Sequence, residues 1–266
     1  IYTKTIVEDG DNFLFGNIIK RMGRLFGLEI VHKHNYDEQL LKKYDNKIKN
    51  IFLNLIKKEK VIIFDVGANL GESIELYLNI FPGATVHSFE PNLKLFNSLK
   101  KMYNKSNIFL NPFGLSNSDS KANLHIASNS NMSSIETINY NSKFFKKREI
   151  KSENTVEVDL TTIDNYCSKN SINRIDILKL NIQGHEPKCL EGGLSLIKNN
   201  KIDFMVIEVD MGDRYGVTHQ LFDIEKHIVP YGYTLFDIIL IKRNSLGKIY
   251  MLNIIYSSSN IISISD

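Results

Sequence analysis

Apolar and polar positions divide the chain into two rhythms. In LLKKYDNKIKNIFLNLIKKEK, the residues Leu41, Tyr44, Ile48, Ile51, Phe52 and Leu55 recur at three- and four-residue steps with lysines between them. That spacing predicts an amphipathic helix, and residues 1–60 read as an N-terminal helical extension. From residue 61 short apolar runs alternate with helical patterns. VIIFDV, ATVHSFE and NIFLNPFGL read as strands, separated by helices GESIELYLNIF, which stops at Pro82-Gly83, and NLKLFNSLKKMY, capped by Asn92. Further on, KANLHIA and TVEVDL read as strands and TTIDNYCSKN as a helix. IDILKLNI and IDFMVIEV are strands flanking the helix HEPKCLEGGLSLIKNN. HQLFDIEKHIVPYG is a helix, and TLFDIILIKR and KIYMLNIIYS form a terminal hairpin around NSLG.

Continuous apolar strands alternating with helices predict an α/β fold over residues 61–266. The expectation is a Rossmann-like, doubly wound, mostly parallel sheet of seven strands with an antiparallel terminal hairpin. The stretch SNSNMSSIETINYNSKFFKKREIKSEN is polar and rich in Ser and Asn. It reads as a long loop with little regular structure, of a length that compact domains keep for function.

Composition changes this picture little. Of 266 residues, 42% are hydrophobic and 24% charged, as in ordinary globular proteins. A net charge of +3 is too mild for a nucleic-acid-binding face, so no nucleic-acid partner is expected. Cys167 and Cys189 have no metal-ligand spacing and are too few for a disulfide framework. No apolar run approaches the roughly 18 residues that cross a bilayer. The opening IYTKTIVEDGDNF lacks the charged and apolar regions of a signal peptide. A cytoplasmic protein with reduced thiols and no transmembrane segment is the expectation.

Ligands of open parallel sheets bind beyond the carboxyl ends of the strands. The first such end carries Asp65, Gly67, Asn69, Gly71 and Ser73. The second carries Glu90 and Pro91, with Glu90 nineteen residues after Gly71. Glycines let a ligand approach the main chain, the amides opening a helix suit an anionic group, and an acid at the second strand suits ribose hydroxyls. Together they predict a nucleoside-containing cofactor. The dinucleotide fingerprint GxGxxG has a middle glycine that admits a pyrophosphate; here Asn69 fills that place in GANLG. S-adenosylmethionine, with a carboxylate and an ammonium instead of a pyrophosphate, fits this loop.

The segments DVGANLGES, SFEPN, FLNPFGLSN, NMSSI, LTTIDNY, DILKLNIQGHEPKCLEGG and MVIEVD resemble, in that order, the motifs of the FkbM family of methyltransferases. The resemblance spans residues 61 to about 240. It implies a class I methyltransferase fold and S-adenosylmethionine-dependent methylation of hydroxyl oxygens on sugars, glycoconjugates or natural products. It assigns Asp65, Gly67, Ala68, Asn69, Gly71 and Ser73 to the methionine end of the cofactor, and Glu90 and Pro91 to the ribose and adenine. Phe113, Gly114 and Leu115 match the segment passing near the adenine. Asn181, Gln183, Gly184, His185 and Glu186 match the segment beside the transferable methyl. The family commonly has Asp where this chain has Asn181, and asparagine is a weak metal ligand and no base, so no metal is expected.

A hydroxyl acceptor benefits from a general base. Within that motif His185 is the neutral nitrogen base, and a helix N-terminus lowers a histidine pKa, so His185 is the expected base, with Glu186 or Glu208 orienting it or the acceptor. Ser133 and Ser134 in the long loop, and Arg214 and Tyr215 after the MVIEVD strand, are expected at the acceptor. The loop reads as a lid, and its basic-aromatic run KFFKKREIK as a surface for an acidic glycan, a lipid phosphate or peripheral membrane contact. Two alternatives stand beside this reading: a nucleotide-cofactor oxidoreductase on the same fold, and a non-catalytic S-adenosylmethionine-binding scaffold.

Overall fold

The computed structural model describes residues 3–7, 28–215 and 221–261. Most of the opening segment that bears on a signal peptide, and His219 in the acceptor segment, lie outside the described residues. The chain divides into two compact units, Ile1–Ile56 and Lys57–Asp266.

The first unit is not wholly helical. β1 (Thr3–Val7) and β2 (Leu28–His32) pair in parallel, Thr3 opposite Leu28, and β2 runs directly into α1 (Lys33–Leu55). The helical stripe begins only in the second half of this segment. TKTIV and LEIVH are short and rich in β-branched residues, which favours the extended form.

The second unit opens with β3 (Ile62–Val66), α2 (Glu72–Ile80), β4 (Thr85–Phe89), α3 (Leu93–Met102) and β5 (Ile108–Asn111). Asn92 caps α3 by accepting from the Lys94 amide. After β5 the chain leaves the main sheet. β6 (Gly114–Leu115), β7 (Ser120–Ala127) and β8 (Ser152–Thr161) form a separate three-stranded sheet in the order β6-β8-β7. Between β7 and β8, the segment expected to be irregular is partly ordered. It holds a 3₁₀ turn (Ser130–Met132) and α4 (Lys143–Lys147), and its Ile138, Phe145 and Ile150 form a small core with Ala127 of β7 and Tyr215 beyond β10. Backbone bridges His125 to Ser134 and Ile138 to Tyr215 pin its first half.

The chain returns through α5 (Ile163–Lys169), β9 (Ile175–Leu180), α6 (Glu186–Glu191), α7 (Leu194–Lys198), β10 (Ile202–Asp210), α8 (Leu221–Ile228), β11 (Tyr233–Arg243) and β12 (Ile249–Ser258). The single helix expected over 185–200 is two, parted at Gly192 and Gly193. A Cβ on Gly192 would stand 1.9 Å from the Ser116 carbonyl oxygen, so the chain turns where that oxygen leaves room only for hydrogen.

The main sheet has the order β11-β12-β10-β9-β3-β4-β5. Its strands from β10 to β5 are parallel, and β12 runs antiparallel to both its neighbours. One face packs Phe64, Val66, Leu178, Met205, Ile207 and Ile254 against α5 to α8. On the opposite face Ile63, Val86, Ile177 and Val206 are buried too, so the sheet is covered on both sides. That double burial is why its strands read as unbroken apolar runs. The ends of β3, β4, β9 and β10 then bring the glycine loop, Glu90, the 181–186 turn and Glu208 to one edge.

Candidate active site

The loop after β3 is built on left-handed backbone, with φ of 80° at Gly67, 47° at Asn69 and 90° at Gly71. Gly67 and Ala68 both donate to the Phe89 carbonyl, at 3.0 and 3.2 Å, tying the loop to the end of β4. A Cβ on Gly67 would lie 2.2 Å from the Asn181 carbonyl oxygen, so the loop also rests directly on the end of β9. Glu90 turns toward this loop. Its carboxylate accepts from the Asn69 amide at 2.8 Å and from the Asn92 amide at 2.9 Å. Burial raises its pKa, against the pull of those two amides and of Lys179.

Asp65 acts differently from the direct cofactor contact expected of it. It is 0% exposed and pairs at 2.8 Å with Lys179 Nζ, across the β3–β9 register where the two residues face each other. Lys179 also donates to the carbonyls of Gly67 at 2.8 Å and Val66 at 3.3 Å. The pair thus holds the loop from beneath. Ser73 lies in the first turn of α2. Leu115 is buried in the main core, so it packs where an adenine contact was expected. Gly114 lies beside Pro91: a Cβ there would stand 3.8 Å from the proline Cγ. Phe113 lines a cavity of about 430 Å³ with Asn111, Leu160 and Tyr166, and no glycine-loop residue shares that wall.

The turn after β9 places two further left-handed residues in succession, Gln183 at φ 54° and Gly184 at 99°. Glu186 organises it. One carboxylate oxygen accepts from the Ile182 amide at 2.7 Å and the other from the Gly184 amide at 2.9 Å. Glu186 is 2% exposed, and burial pushes its pKa up to about 7 despite these amides. Its side chain is consumed by the turn and has no open side toward an acceptor. His185 departs from its expected role in the same way. It is 2% exposed, with Nδ1 2.8 Å from Glu136 and Nε2 2.9 Å from the Ser116 hydroxyl. Burial would raise the Glu136 carboxyl, but hydrogen bonds from His185 and Lys188 outweigh it and hold the pKa at about 2. With both ring nitrogens engaged below the surface, His185 ties the turn to β6 and to the 130s loop.

Glu208 stays partly exposed at the end of β10. It accepts from Gln183 Nε2 at 3.0 Å, Asn181 Nδ2 at 3.5 Å and Asn253 Nδ2 at 3.4 Å. Gln183 also donates to Asn181 Oδ1 at 2.6 Å and accepts from the Tyr215 hydroxyl at 2.5 Å. Burial raises the Tyr215 pKa, so the phenol stays a donor. Arg214 pairs with Asp210 at 2.7 Å. The 130s loop closes on this cluster. Ser134 donates to the Gln183 carbonyl at 2.7 Å, Asn131 bonds Asn69 in the glycine loop, and Ser133 accepts from the Ala127 amide at the end of β7 at 3.1 Å. Lys179, Glu136 and Asn253 were not singled out from the sequence. Lys179 did carry a signal, a lysine inside a buried apolar strand beside another strand bearing Asp65. Among the described residues no group of three His, Cys, Asp or Glu side chains is placed to hold a metal ion.

A doubly wound sheet of this order, with a left-handed glycine loop on its first core strand and an acid on the second, is the Rossmann-like fold of class I methyltransferases. The Methyltransferase FkbM domain model matches residues 65–235, and the chain belongs to that family. It is therefore a methyltransferase with S-adenosylmethionine as donor, and the oxidoreductase and scaffold alternatives fall away. A search of the curated proteins finds no match. Among solved structures, the chain is similar to a precorrin-6Y C5,15-methyltransferase from Geobacter metallireducens, with 10% identity over 80% of this chain and 88% of that one and a TM-score of 0.42. It is similar to TrmK of M. capricolum, solved with S-adenosylhomocysteine, with 15% identity, coverage of 79% and 67%, and a TM-score of 0.41. It is also similar to a 1,6-didemethyltoxoflavin-N1-methyltransferase from Burkholderia thailandensis, with 11% identity, coverage of 94% and 92%, and a TM-score of 0.41.

The crevice fits this donor. Asn69 Oδ1 is a buried acceptor with no donor among the described residues. Beside it are the Glu90 carboxylate and bare main chain at Gly67, which together suit hydroxyl and ammonium donors.

Proposed function

We infer that the protein is an O-methyltransferase acting on a hydroxyl of a sugar, glycoconjugate or related natural product. The observation that carries this reading is Glu208, a partly exposed carboxylate at the strand ends with amides of Asn181, Gln183 and Asn253 around it. When bound, S-adenosylmethionine supplies an electrophilic methyl group on a sulfonium. Glu208 is the base that takes the proton from the acceptor hydroxyl to be methylated. The amides hold the carboxylate in one orientation and offer hydrogen bonds suited to a polyol. Glu90, Asn69 and the glycine-loop main chain hold the donor. Asp65 and Lys179 support that loop. Glu186 and His185 are positioning residues for the Asn181–Gln183 turn, and Ser134 with Asn131 closes the lid and limits water. Asn181 in place of a carboxylate favours a metal-free reaction. Nucleic acid is left out of the acceptor class because the net charge is only +3. The cytoplasm is the proposed compartment, on the strength of two free, buried thiols at Cys167 and Cys189. Among the described residues no helix is long and apolar enough to cross a membrane.

The test pairs transfer of a tritiated methyl group to a panel of glycans with calorimetric binding of S-adenosylhomocysteine. Glu208→Gln should lower turnover by roughly 10²–10⁴-fold while cofactor-product affinity changes only a few-fold. Turnover close to that of the wild type would overturn the assignment of the base.

A further inference from the structure

Arg214 carries a donor that no described residue accepts from. The residue is 2% exposed, at the foot of the proposed acceptor site. Its Nε donates to Asp210 Oδ2 at 2.7 Å. The other Asp210 oxygen already accepts from the Gly212 amide at 2.7 Å. Among the described residues, Nη1 meets only the Met132 sulfur, at 3.9 Å, and Nη2 is buried with no hydrogen-bond partner. A guanidinium placed only to neutralise an aspartate commonly does so as a fork, through two N–H groups. Here one N–H faces the aspartate, and the remaining end is left without an oxygen acceptor. A buried donor without an acceptor is destabilising, so this arrangement makes sense as half of a contact.

The surroundings specify the other half. The guanidinium carbon lies 4.7 Å from the Phe144 ring centroid, 5.7 Å from Tyr215 and 5.8 Å from Tyr250. Phe144 also carries Arg148 at 4.0 Å, so two cations share one phenyl ring. Lys143 and Lys146 are exposed on the same short helix. Met132 and Phe144 both belong to the segment between β7 and β8, so that segment covers the Nη edge of Arg214. Tyr215, the next residue, donates to Gln183, which bonds Glu208. The unused donor is therefore two side chains away from the proposed base. A basic rim and an unsatisfied guanidinium fork select an oxyanion, and the burial of that fork selects a small one over an extended surface.

We propose that the methyl acceptor is an acidic sugar unit, one bearing a carboxylate or phosphate near the hydroxyl that is methylated, and that Arg214 grips this group with Arg148 at the rim. The proposal rests on the glycan-hydroxyl reading above and adds the charge of the substrate to it.

The test is calorimetric titration of the full chain, saturated with S-adenosylhomocysteine, with methyl glucoside, methyl glucuronide and glucose 6-phosphate. The last two separate a carboxylate from a phosphate. At least one charged sugar should bind roughly tenfold or more tightly than the neutral one, and that preference should shrink with added salt. Arg214→Gln should abolish the preference. Because that change leaves Asp210 without its partner, Arg148→Gln on the surface serves as the second variant, and it should cut the preference several-fold with an unchanged melting temperature. Equal binding of neutral and charged sugars overturns the proposal and leaves the O-methyltransferase reading standing. If no sugar binds while S-adenosylhomocysteine does, both readings fall. Binding to phosphatidylglycerol vesicles with no response to soluble sugars also overturns it, in favour of a membrane surface.

Discussion

Gly67 offers the sharpest test of how the cofactor loop is held. Replacing it with alanine has two separable costs. Its φ of 80° is left-handed, which disfavours any L side chain by about 1–2 kcal/mol. The new methyl would also meet the Asn181 carbonyl oxygen at 2.2 Å, a main-chain atom that cannot swing aside. Overpacking of that kind costs about 1–3 kcal/mol more. Gly247 supplies the control. It has nearly the same dihedral, φ 79°, in the turn between β11 and β12, with none of the described residues beyond its chain neighbours within 4 Å of an added Cβ. Gly247→Ala should therefore report the dihedral cost alone, partly offset by lower unfolded-chain entropy of about 0.4–1 kcal/mol. Thermal unfolding by circular dichroism should show Gly67→Ala melting roughly 5–15 °C below the wild type, and Gly247→Ala within about 4 °C of it. Because relief of the clash must push the end of β9 away from the loop, Gly67→Ala should also lose S-adenosylhomocysteine binding, while Gly247→Ala keeps it. Equal melting shifts, or intact binding in Gly67→Ala, would refute the claim that loop and β9 touch through main chain.

Three other outcomes follow from the same geometry. Lys179→Met leaves the Asp65 carboxylate buried without its cation and should destabilise by about 3–5 kcal/mol; adding Asp65→Asn should recover much of that in a denaturant titration, and no recovery would count against the pairing. Glu90→Gln should weaken S-adenosylhomocysteine binding by roughly 10–100-fold, and unchanged affinity would remove it from the donor site. Glu186 binds its proton up to about pH 7 when folded, against an ordinary 4.5, so between those values the native state holds more protons than the unfolded chain. The stability this contributes is complete below pH 4.5 and is lost as pH rises through 7, about 3 kcal/mol in all. In melts from pH 4.5 to 8, Glu186→Gln should show a flatter profile than the wild type, and parallel profiles would contradict the burial argument.

Much of this architecture was legible in the chain because buried parallel strands are apolar on both faces. IIFDV and IDILKL could be placed by composition alone, and the acids and glycines at their ends pointed to one edge of a sheet. The 128–151 segment was harder. Its order comes from distant partners: Ile138 bridges Tyr215, and Phe145 packs beneath that same tyrosine. Local polarity signals none of this. His185 shows the same limit. Beside a helix start it reads as a poised base, yet Glu136 lies 49 residues away and Ser116 lies 69 away, and these two occupy its ring. The β1–β2 pair was hidden because five-residue strands carry too few positions for a period to show.

The position of β12 has a consequence for biosynthesis. The last strand of the sheet to emerge from the ribosome is inserted between two earlier ones, β11 and β10, and does not extend an edge. Until it arrives, β10 lacks a neighbour on that side, and Glu208 lacks the amide of Asn253. A nascent chain therefore cannot complete the polar surroundings of Glu208 before translation has passed residue 253.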